Sequence, residues 1–415
     1  MEKQWLEGLR KTVERVLPIP YYQERFAALG ITCSEDIRSL QDFQKIPLTT
    51  KEDLRKNYPF GLFAEPMDKI VRLHASSGTT GKPTVVGYTR HDIALWAKIV
   101  AHELKQAGVT PKDVVQIAYG YGLFTGGMGL HYGCEELGAI VVPISGGNTA
   151  RQLMLMRDFG TTVLACTPSY ALYLAESLEE SGISRDELKL RIGVFGAEPW
   201  TEGMREQIET RLGIRAFDIY GLSETMGPGV AMECPIHQGL HIDEHFYPEI
   251  LGSDGNPLPE GSQGELVITS LEKEGFPVLR YRTKDITTLH FGQCACGQVG
   301  WTMERVSARV DDMLIIRGVN VFPSQVEEAI LSLGGFEPHY LLIVERVGNL
   351  DQLEIQVEVN ENSFTDEVRE LERHQERLKR RVEDILGISV RIRLVEPKSI
   401  PRSEGKAVRV IDKRK

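Results

Sequence analysis

The stretch His74–Val86, HASSGTTGKPTVV, gathers Ser76, Ser77, Gly78, Thr79, Thr80 and Lys82 into one short loop. Small hydroxyl residues and glycines let backbone amides approach an anion closely, and a lysine adds a point charge, so the chemistry that fits is polyphosphate binding. The spacing is not that of a P-loop. Gly78 to Gly81 is too short, and Pro83 stands where the magnesium-binding hydroxyl would be. Pro83 also disfavours helical geometry at Lys82, so the loop should run into extended chain, PTVVGYT, rather than open a helix. A flexible surface turn has the same composition. A second set of chemical residues is Cys234, His237 and His241 in CPIHQGLH with Cys294 and Cys296 in CACG. Four soft ligands from this set suit a structural zinc ion, the fourth being His237 or His241, although C-x-C is tighter than the usual C-x-x-C and three free thiols would look the same. Cys33, Cys134 and Cys166 read as isolated core thiols.

The elements that must position these residues follow from periodicity. MEKQWLEGLRKTVERVLPIP is an amphipathic helix pattern. From about Asp113 to Tyr220 the apolar runs DVVQIAYG, AIVVPIS, TTVLACTP, RIGVFGAEP and RAFDIYGLSE alternate with helical patterns, the rhythm of a parallel α/β sheet. Ligands of open α/β sheets sit beyond the carboxyl ends of the strands, where Gly, Pro, Ser and Thr end these runs. Beyond Gly252 the pattern turns to punctuated β, which predicts a β subdomain. In VFPSQVEEAI a helix enters at Pro323 and Ser324, with Glu327 completing a capping box. A domain boundary near Asp311 then precedes a hairpin, HYLLIVERV and LEIQVEVN. A helix follows, with Val368, Leu371, Leu378, Val382 and Ile385 on one face and Gly387 as its stop, then the strand VRIRLVEP and a polar tail. About 100 residues suffice for a small α+β domain.

The 415 residues exceed one typical core. A net charge of −11 argues against a nucleic-acid partner, and the stretch LKRRVED mixes acid with base. The N-terminus lacks the apolar core of a signal peptide and no run of 18 apolar residues occurs, so a cytoplasmic protein with no membrane partner is expected. Six cysteines in this length are too few for a disulfide framework.

Five stretches, in order, SSGTTGKPT, GAEP, DIYGLSE, YRTKD and GKAVRVID, resemble the adenylate-forming superfamily of acyl-CoA synthetases, adenylation domains and luciferases. Within it, YGYGLFTGGMGLHYG, YGLSETMGPGVA, GLHIDEHFYPEI and DDMLIIRGVNVFPSQVEE are most similar to the phenylacetate-CoA ligase family, and the likeness covers nearly the whole chain from Tyr58. The resemblance implies a large α/β AMP-binding domain with a β subdomain, residues 1–310, and a small mobile α+β lid, 311–415, hinged at Asp311. It implies ATP, magnesium, coenzyme A and an aryl carboxylic acid as cofactors and substrates, and a homodimer.

Residue by residue, the resemblance implies that Ser76, Ser77, Gly78, Thr79, Thr80 and Lys82 close over the β- and γ-phosphates and that Glu224 holds magnesium, a hard cation that takes carboxylate oxygen. Tyr220 would stack on adenine, with Gly196, Ala197, Glu198, Pro199, Asp218, Ile219, Gly221 and Ser223 around the nucleotide. Asp285 would take the ribose hydroxyls beside Arg309, where Ala308 replaces the family's usual glycine. Lys406 would reach the α-phosphate and the attacking carboxylate, which makes Lys406, Glu224 and Lys82 the implied catalytic set; a solvated lysine in a basic tail is the plain alternative. The stretch Tyr119 to Gly129, which includes Phe124 and Gly126, together with Ala197, Ile219 and Pro228 would form an acyl pocket whose glycines leave room and whose aromatics supply flat walls, suiting an aryl or arylalkyl acid. For zinc, the family-like GLHI favours His241 over His237.

The activity implied is ATP + acid + CoA to acyl-CoA + AMP + pyrophosphate, with phenylacetate the default acid and benzoate-, hydroxyphenyl- and indole-type acids open. A second reading transfers AMP to another acceptor, as in coenzyme F390 synthetases. A third is a zinc-stabilised binding protein that keeps the fold without the chemistry.

Overall fold

The computed structural model describes residues 2–76, 82–348, 350–360 and 368–414. The chain begins with α1 (Glu2–Val16), whose inward face carries Leu9, Thr12, Val13 and Val16. Thr12 anchors it far along the chain by donating to the Ser270 carbonyl at 2.7 Å. Three short helices follow, α2 (Pro20–Ala27), α3 (Leu40–Gln44) and α4 (Lys51–Lys56). Thr50 caps α4 with Asp53 in a reciprocal box, which places Lys51 at its first position. β1 (Arg72–Ser76) and β2 (Thr84–Tyr88) pair antiparallel, so the chain does leave Pro83 in extended form. Ser77, Gly78, Thr79 and Thr80 lie outside the described residues.

After α5 (Arg90–Gln106) the expected alternation appears: β3 (Val114–Ile117), α6 (Gly126–Leu137), β4 (Ile140–Val142), α7 (Thr149–Asp158), β5 (Val163–Cys166), α8 (Pro168–Ser181), β6 (Ile192–Gly196), α9 (Glu202–Leu212) and β7 (Arg215–Tyr220). The strands run parallel in the order β4, β3, β5, β6, β7. Strand periodicity sends Val163 and Ala165 into one core and Leu164 and Cys166 into another, on opposite faces of the sheet.

The antiparallel part begins earlier than the punctuation predicts. β8 (Ala231–Glu233), β9 (Leu240–Ile242) and β10 (Phe246–Leu251) all precede Gly252, because these short apolar runs carry too little alternation to read as strands. With β11 (Gln263–Ser270), β12 (Tyr281–Gln293), β13 (Val299–Met303) and β14 (Ala308–Arg309) they join the parallel strands edge to edge in a single twelve-stranded sheet.

The C-terminal part has its own core of Leu314, Ile316, Val326, Leu342, Ile355, Leu378 and Val382, among others. It is built from β15 (Leu314–Ile316), β16 (Val319–Val321), α10 (Pro323–Leu331), β17 (Phe336–Val347), β18 (Leu350–Val359), α11 (Val368–Leu386) and β19 (Arg391–Val395). Gly387, at φ 68°, stops α11 as expected. Two expectations are corrected. Glu327 does not cap α10: Gln325 accepts the Phe322 N–H at 3.0 Å, while Glu327 accepts from Thr201 across the domain boundary at 2.8 Å. The polar tail is not free either, since β20 (Val410–Asp412) pairs in parallel with β17. Cys134 and Cys166 are buried, but Cys33 is only half-buried.

Among the described residues no helix is long and apolar enough to cross a membrane. Between β10 and β12 a buried Arg280 donates to Glu249 at 3.0 and 2.9 Å and to the Ile46 carbonyl at 2.6 Å. Arg280→Ala strands a buried carboxylate and is expected to lower the unfolding free energy by about 3–5 kcal/mol in urea denaturation, with a change under about 1 kcal/mol counting against the pair.

Candidate active site

A cavity of about 1440 Å³ opens beyond the carboxyl ends of β3, β5, β6 and β7, where an open α/β sheet puts its ligands. Its floor is made by the residues that end those strands: Tyr119 after β3, Thr167 after β5, Ala197, Glu198 and Pro199 after β6, and Gly221 to Glu224 after β7. Ala197 is held at φ 70°, a left-handed conformation that costs energy in a residue with a Cβ, and such strain gathers at functional sites.

At one end Glu224 is buried and accepts hydrogen bonds from Thr84 Oγ1 at 2.9 Å and Ser76 Oγ at 3.3 Å. Lys51 Nζ stands 3.9 Å from the same carboxylate. Behind it the buried Lys273 donates to the Glu224 carbonyl at 3.2 Å, and burial pushes that ammonium down to about 8, against the pull of Asp92 and Glu224. Lys82 is exposed, 5.2 Å above the Tyr58 ring and not among the described residues that line the cavity.

Asp285, on β12, sits opposite Arg309 in the β12–β14 register. Its carboxylate lies 2.9 Å from Arg309 Nε and accepts the Tyr220 hydroxyl at 2.6 Å. Burial raises its pKa, with Arg309 and Tyr220 opposing. Arg282, three residues before Asp285, pairs with Glu265 and not with Asp285. Asp218 lines the floor, pushed up to about 8 by burial and by the Glu233 charge while Arg205 opposes. Ser223 meets Thr125 at 3.1 Å.

Tyr119, Phe124, Gly126, Ala197, Ile219 and Pro228 all line the cavity. Among the described residues the buried Tyr119 hydroxyl has no hydrogen-bond partner. Of the glycines read as pocket space, Gly129 serves packing instead: a Cβ there would stand 2.4 Å from Trp96, on the neighbouring α5.

Lys406 enters from the C-terminal part and stands 5.9 Å from the Phe124 ring. Although open to the cleft, it is crowded enough that burial, then Arg309, lowers its pKa from the ordinary lysine value. Asp311 and Asp312 border the same cleft, and Asp311 pairs with Lys284 at 2.7 Å. The sequence reading missed Lys51, Arg55 and Trp200, all lining residues. The only local signal for Lys51 is the capping box before it, which marks a helix start and no chemistry.

Apart from this cavity, Cys234, His241, Cys294 and Cys296 converge, their ligand atoms all within 4.8 Å of one another. Cys234 and Cys294 sulfurs are 3.9 Å apart, and Cys296 sulfur is 3.5 Å from His241 Nε2. Zinc–sulfur bonds of about 2.3 Å in a tetrahedron give edges of about 3.8 Å, so the donor set fits. His237 is elsewhere, stacked 5.0 Å from the Phe217 ring and 2.9 Å from Arg205.

Residues 33–271 match the family described as AMP-binding enzyme, and residues 318–414 match the AMP-binding enzyme C-terminal domain. The chain is 55% identical over 402 residues to a phenylacetate-coenzyme A ligase of Escherichia coli (strain K12), covering 95% of this chain and 91% of that one. It is 48% identical over 426 residues to a phenylacetate-coenzyme A ligase of Thermus thermophilus, covering 99% and 96%. Among solved structures it is similar to 2-hydroxyisobutyryl-CoA ligase in the postadenylation state with an acyl-AMP, at 27% identity and TM-score 0.93, over 100% of this chain and 90% of that one. The same enzyme in its thioesterification state gives TM-score 0.71 at 28% identity over the same shares.

Proposed function

Because the chain belongs to the phenylacetate-CoA ligase family of adenylate-forming, AMP-binding enzymes, we propose that it is an AMP-forming acid–thiol ligase acting on an aryl or arylalkyl acid, phenylacetate first. A carboxylate oxygen of the acid attacks the α-phosphorus of ATP and pyrophosphate leaves. The sulfur of coenzyme A then attacks the acyl carbon of the adenylate, its thiol proton going to solvent, and AMP leaves. Adenylation replaces a poor leaving group by a good one.

The observation that carries this reading is the meeting of Lys406, Asp285, Arg309 and Glu224 around one cavity, although they are far apart in the chain. In it, Lys406 neutralises charge between the α-phosphate and the incoming carboxylate. Glu224 holds magnesium, for which its oxygens and the neighbouring phosphates are suitable hard ligands. Lys51 and Lys82 supply cations at the outer phosphates, together with the loop 76–80. Asp285 accepts from the ribose hydroxyls beside Arg309, a task for an acceptor-only carboxylate. Tyr220 stacks on the base over Gly196, Ala197, Pro199, Asp218, Ile219, Gly221 and Ser223. Tyr119, Phe124, Gly126 and Pro228 enclose the acid.

The proposal divides the chain into an adenylation domain, 1–310, and a lid, 311–415, that turns about Asp311 between the two chemistries. The stronger likeness to a postadenylation state supports assigning the described arrangement to the first half-reaction. It also makes Cys234, His241, Cys294 and Cys296 a structural zinc site, closed by four protein ligands.

The defining experiment is AMP release from ATP, magnesium and a panel of aryl acids, each with and without coenzyme A. Release that requires coenzyme A and is fastest with phenylacetate is expected; release indifferent to coenzyme A would move the reading to another acceptor. In the same assay Lys406→Ala should slow acyl-AMP formation about 10²–10³-fold and spare thioester formation from supplied acyl-AMP, equal loss in both steps refuting the assignment.

The active form of Lys406 is charged and its pKa is lowered, so activity is lost as pH rises through a value below the ordinary lysine value of about 10.4. The kcat/KM profile for ATP reports the free enzyme, and its alkaline limb should move upward in Lys406→Arg. A limb that stays put in that variant points to another group, such as Lys273, which burial pushes down to about 8.

Metal analysis should find one zinc per chain. Cys294→Ser should lower both zinc content and the unfolding temperature while folded enzyme keeps its kcat/KM. Loss of catalysis at full stability would contradict a structural metal.

A further inference from the structure

Glu198 lies in the turn after β6 and borders the cavity, yet both oxygens of its carboxylate are engaged by backbone. One accepts the Ser169 N–H at 2.8 Å, in the first turn of α8. The other accepts the Ala407 N–H at 2.9 Å, one residue beyond Lys406. The same C-terminal segment is held on its other side as well. Thr167 Oγ1 donates to the Gly405 carbonyl at 3.0 Å. Glu404 packs on Gly147, where a Cβ would stand 2.8 Å from the Glu404 carboxylate and where a φ of 86° favours glycine. Residues 404, 405 and 407 are thus fastened by three separate loops of the large domain, and the side chain between them is directed to the cleft.

We propose that Glu198 is the positioning residue for Lys406, its carboxylate clamping the backbone next to that lysine whenever the lid is in the adenylation position. A hydrogen bond to an ionised acceptor is about twice as strong as a neutral one. Misplacing a reacting group by about 1 Å costs on the order of 10²-fold in rate. Glu198 therefore acts through the lid and not as part of the nucleotide's wall. When the lid turns, the Ala407 N–H leaves, and the carboxylate keeps Ser169 and gains solvent in the opened cleft. The contact serves one half-reaction only. This inference rests on the ligase reading, in which Lys406 belongs to adenylation.

The test uses the full-length enzyme and single-turnover assays of the two half-reactions, acyl-AMP formation from ATP and phenylacetate, and thioester formation from supplied phenylacetyl-AMP and coenzyme A. Glu198→Gln keeps the shape but offers one acceptor to the two backbone N–H groups of Ser169 and Ala407, so the two-sided clamp is lost. It should slow acyl-AMP formation about ten- to a hundredfold, leave the KM for ATP and the thioester step unchanged, and add nothing to the loss in Lys406→Ala. Glu198→Asp keeps the charge and falls one methylene short, and it should show the same split; it decides the question if the glutamine variant does not fold.

A raised KM for ATP at unchanged rate, losses that multiply with Lys406→Ala, equal loss in both steps, or a normal Glu198→Asp enzyme would each overturn the positioning role. Wild-type enzyme that forms no acyl-AMP would overturn the ligase reading itself, so the two failures are distinct.

Discussion

The Asp285 carboxylate is the node on which the two parts of the molecule depend. It is buried at the centre of the long strand β12, and burial alone would favour its neutral form. Two partners oppose that, and each comes from a different section of chain. Tyr220 ends the last parallel strand, and Arg309 stands in register on β14, two residues before Asp311. A shift of one residue in the β12–β14 pairing would turn Arg309 to the other face of the sheet and leave Asp285 without its cation. The register that satisfies a buried charge therefore also fixes where the chain leaves the large domain and where the C-terminal part begins.

Among the described residues the C-terminal part is held down largely by charges, with Leu331 adding an apolar contact to the core below α9. Glu176, on α8, accepts from His339 at 2.5 Å and Arg402 at 2.8 Å, and Arg402 also pairs with the fully buried Glu358 at 2.7 Å. Burial alone would raise the pKa of Glu176, but His339 and Arg402 outweigh it and hold the carboxylate down at about 2. Buried ion pairs give little net stability, because the attraction is offset by desolvation. They are strict about geometry all the same. An interface of this kind defines one docked position sharply without making it deep, which suits the turning lid of the proposed function. A large apolar interface would fix the lid more firmly and obstruct the second step.

Much of this was legible in the sequence, and the unread remainder has physical causes. The five parallel strands were readable because strands buried on both faces are continuous apolar runs. The Cys/His set was readable by residue type, and His241 was separated from His237 by a family pattern, not by spacing. Lys51 was not legible, because a lysine at the first position of a helix is ordinary there, and its relation to Glu224 exists only through tertiary contact. Glu327 was misread for the opposite reason: a locally plausible cap was displaced by Thr201, Tyr340 and Arg409 from outside the helix. The strand β20 hid in a charged tail because its pairing partner β17 supplies the hydrogen bonds that its own composition does not announce. Gly129 looked like space for a ligand and proved to be space for Trp96. Local pattern reads burial and turns well, whereas the use made of a small residue depends on what packs opposite.

The same strand geometry separates the metal-type cluster from the chemistry. Leu240 lines the cavity, and successive residues of a strand point to opposite faces, so His241 is directed behind the wall that Leu240 forms. β9 is short and pairs with β13 through only two residue pairs, Thr302 with His241 and Met303 with Leu240. That junction joins β8, β9 and the parallel strands beyond them to the antiparallel strands β10 to β13. Cys294 and Cys296 lie in the turn between β12 and β13, and Cys234 follows β8 directly. A metal ion held there by the four residues would tie together the strands on both sides of this junction, close enough to steady the wall and turned away from the cavity.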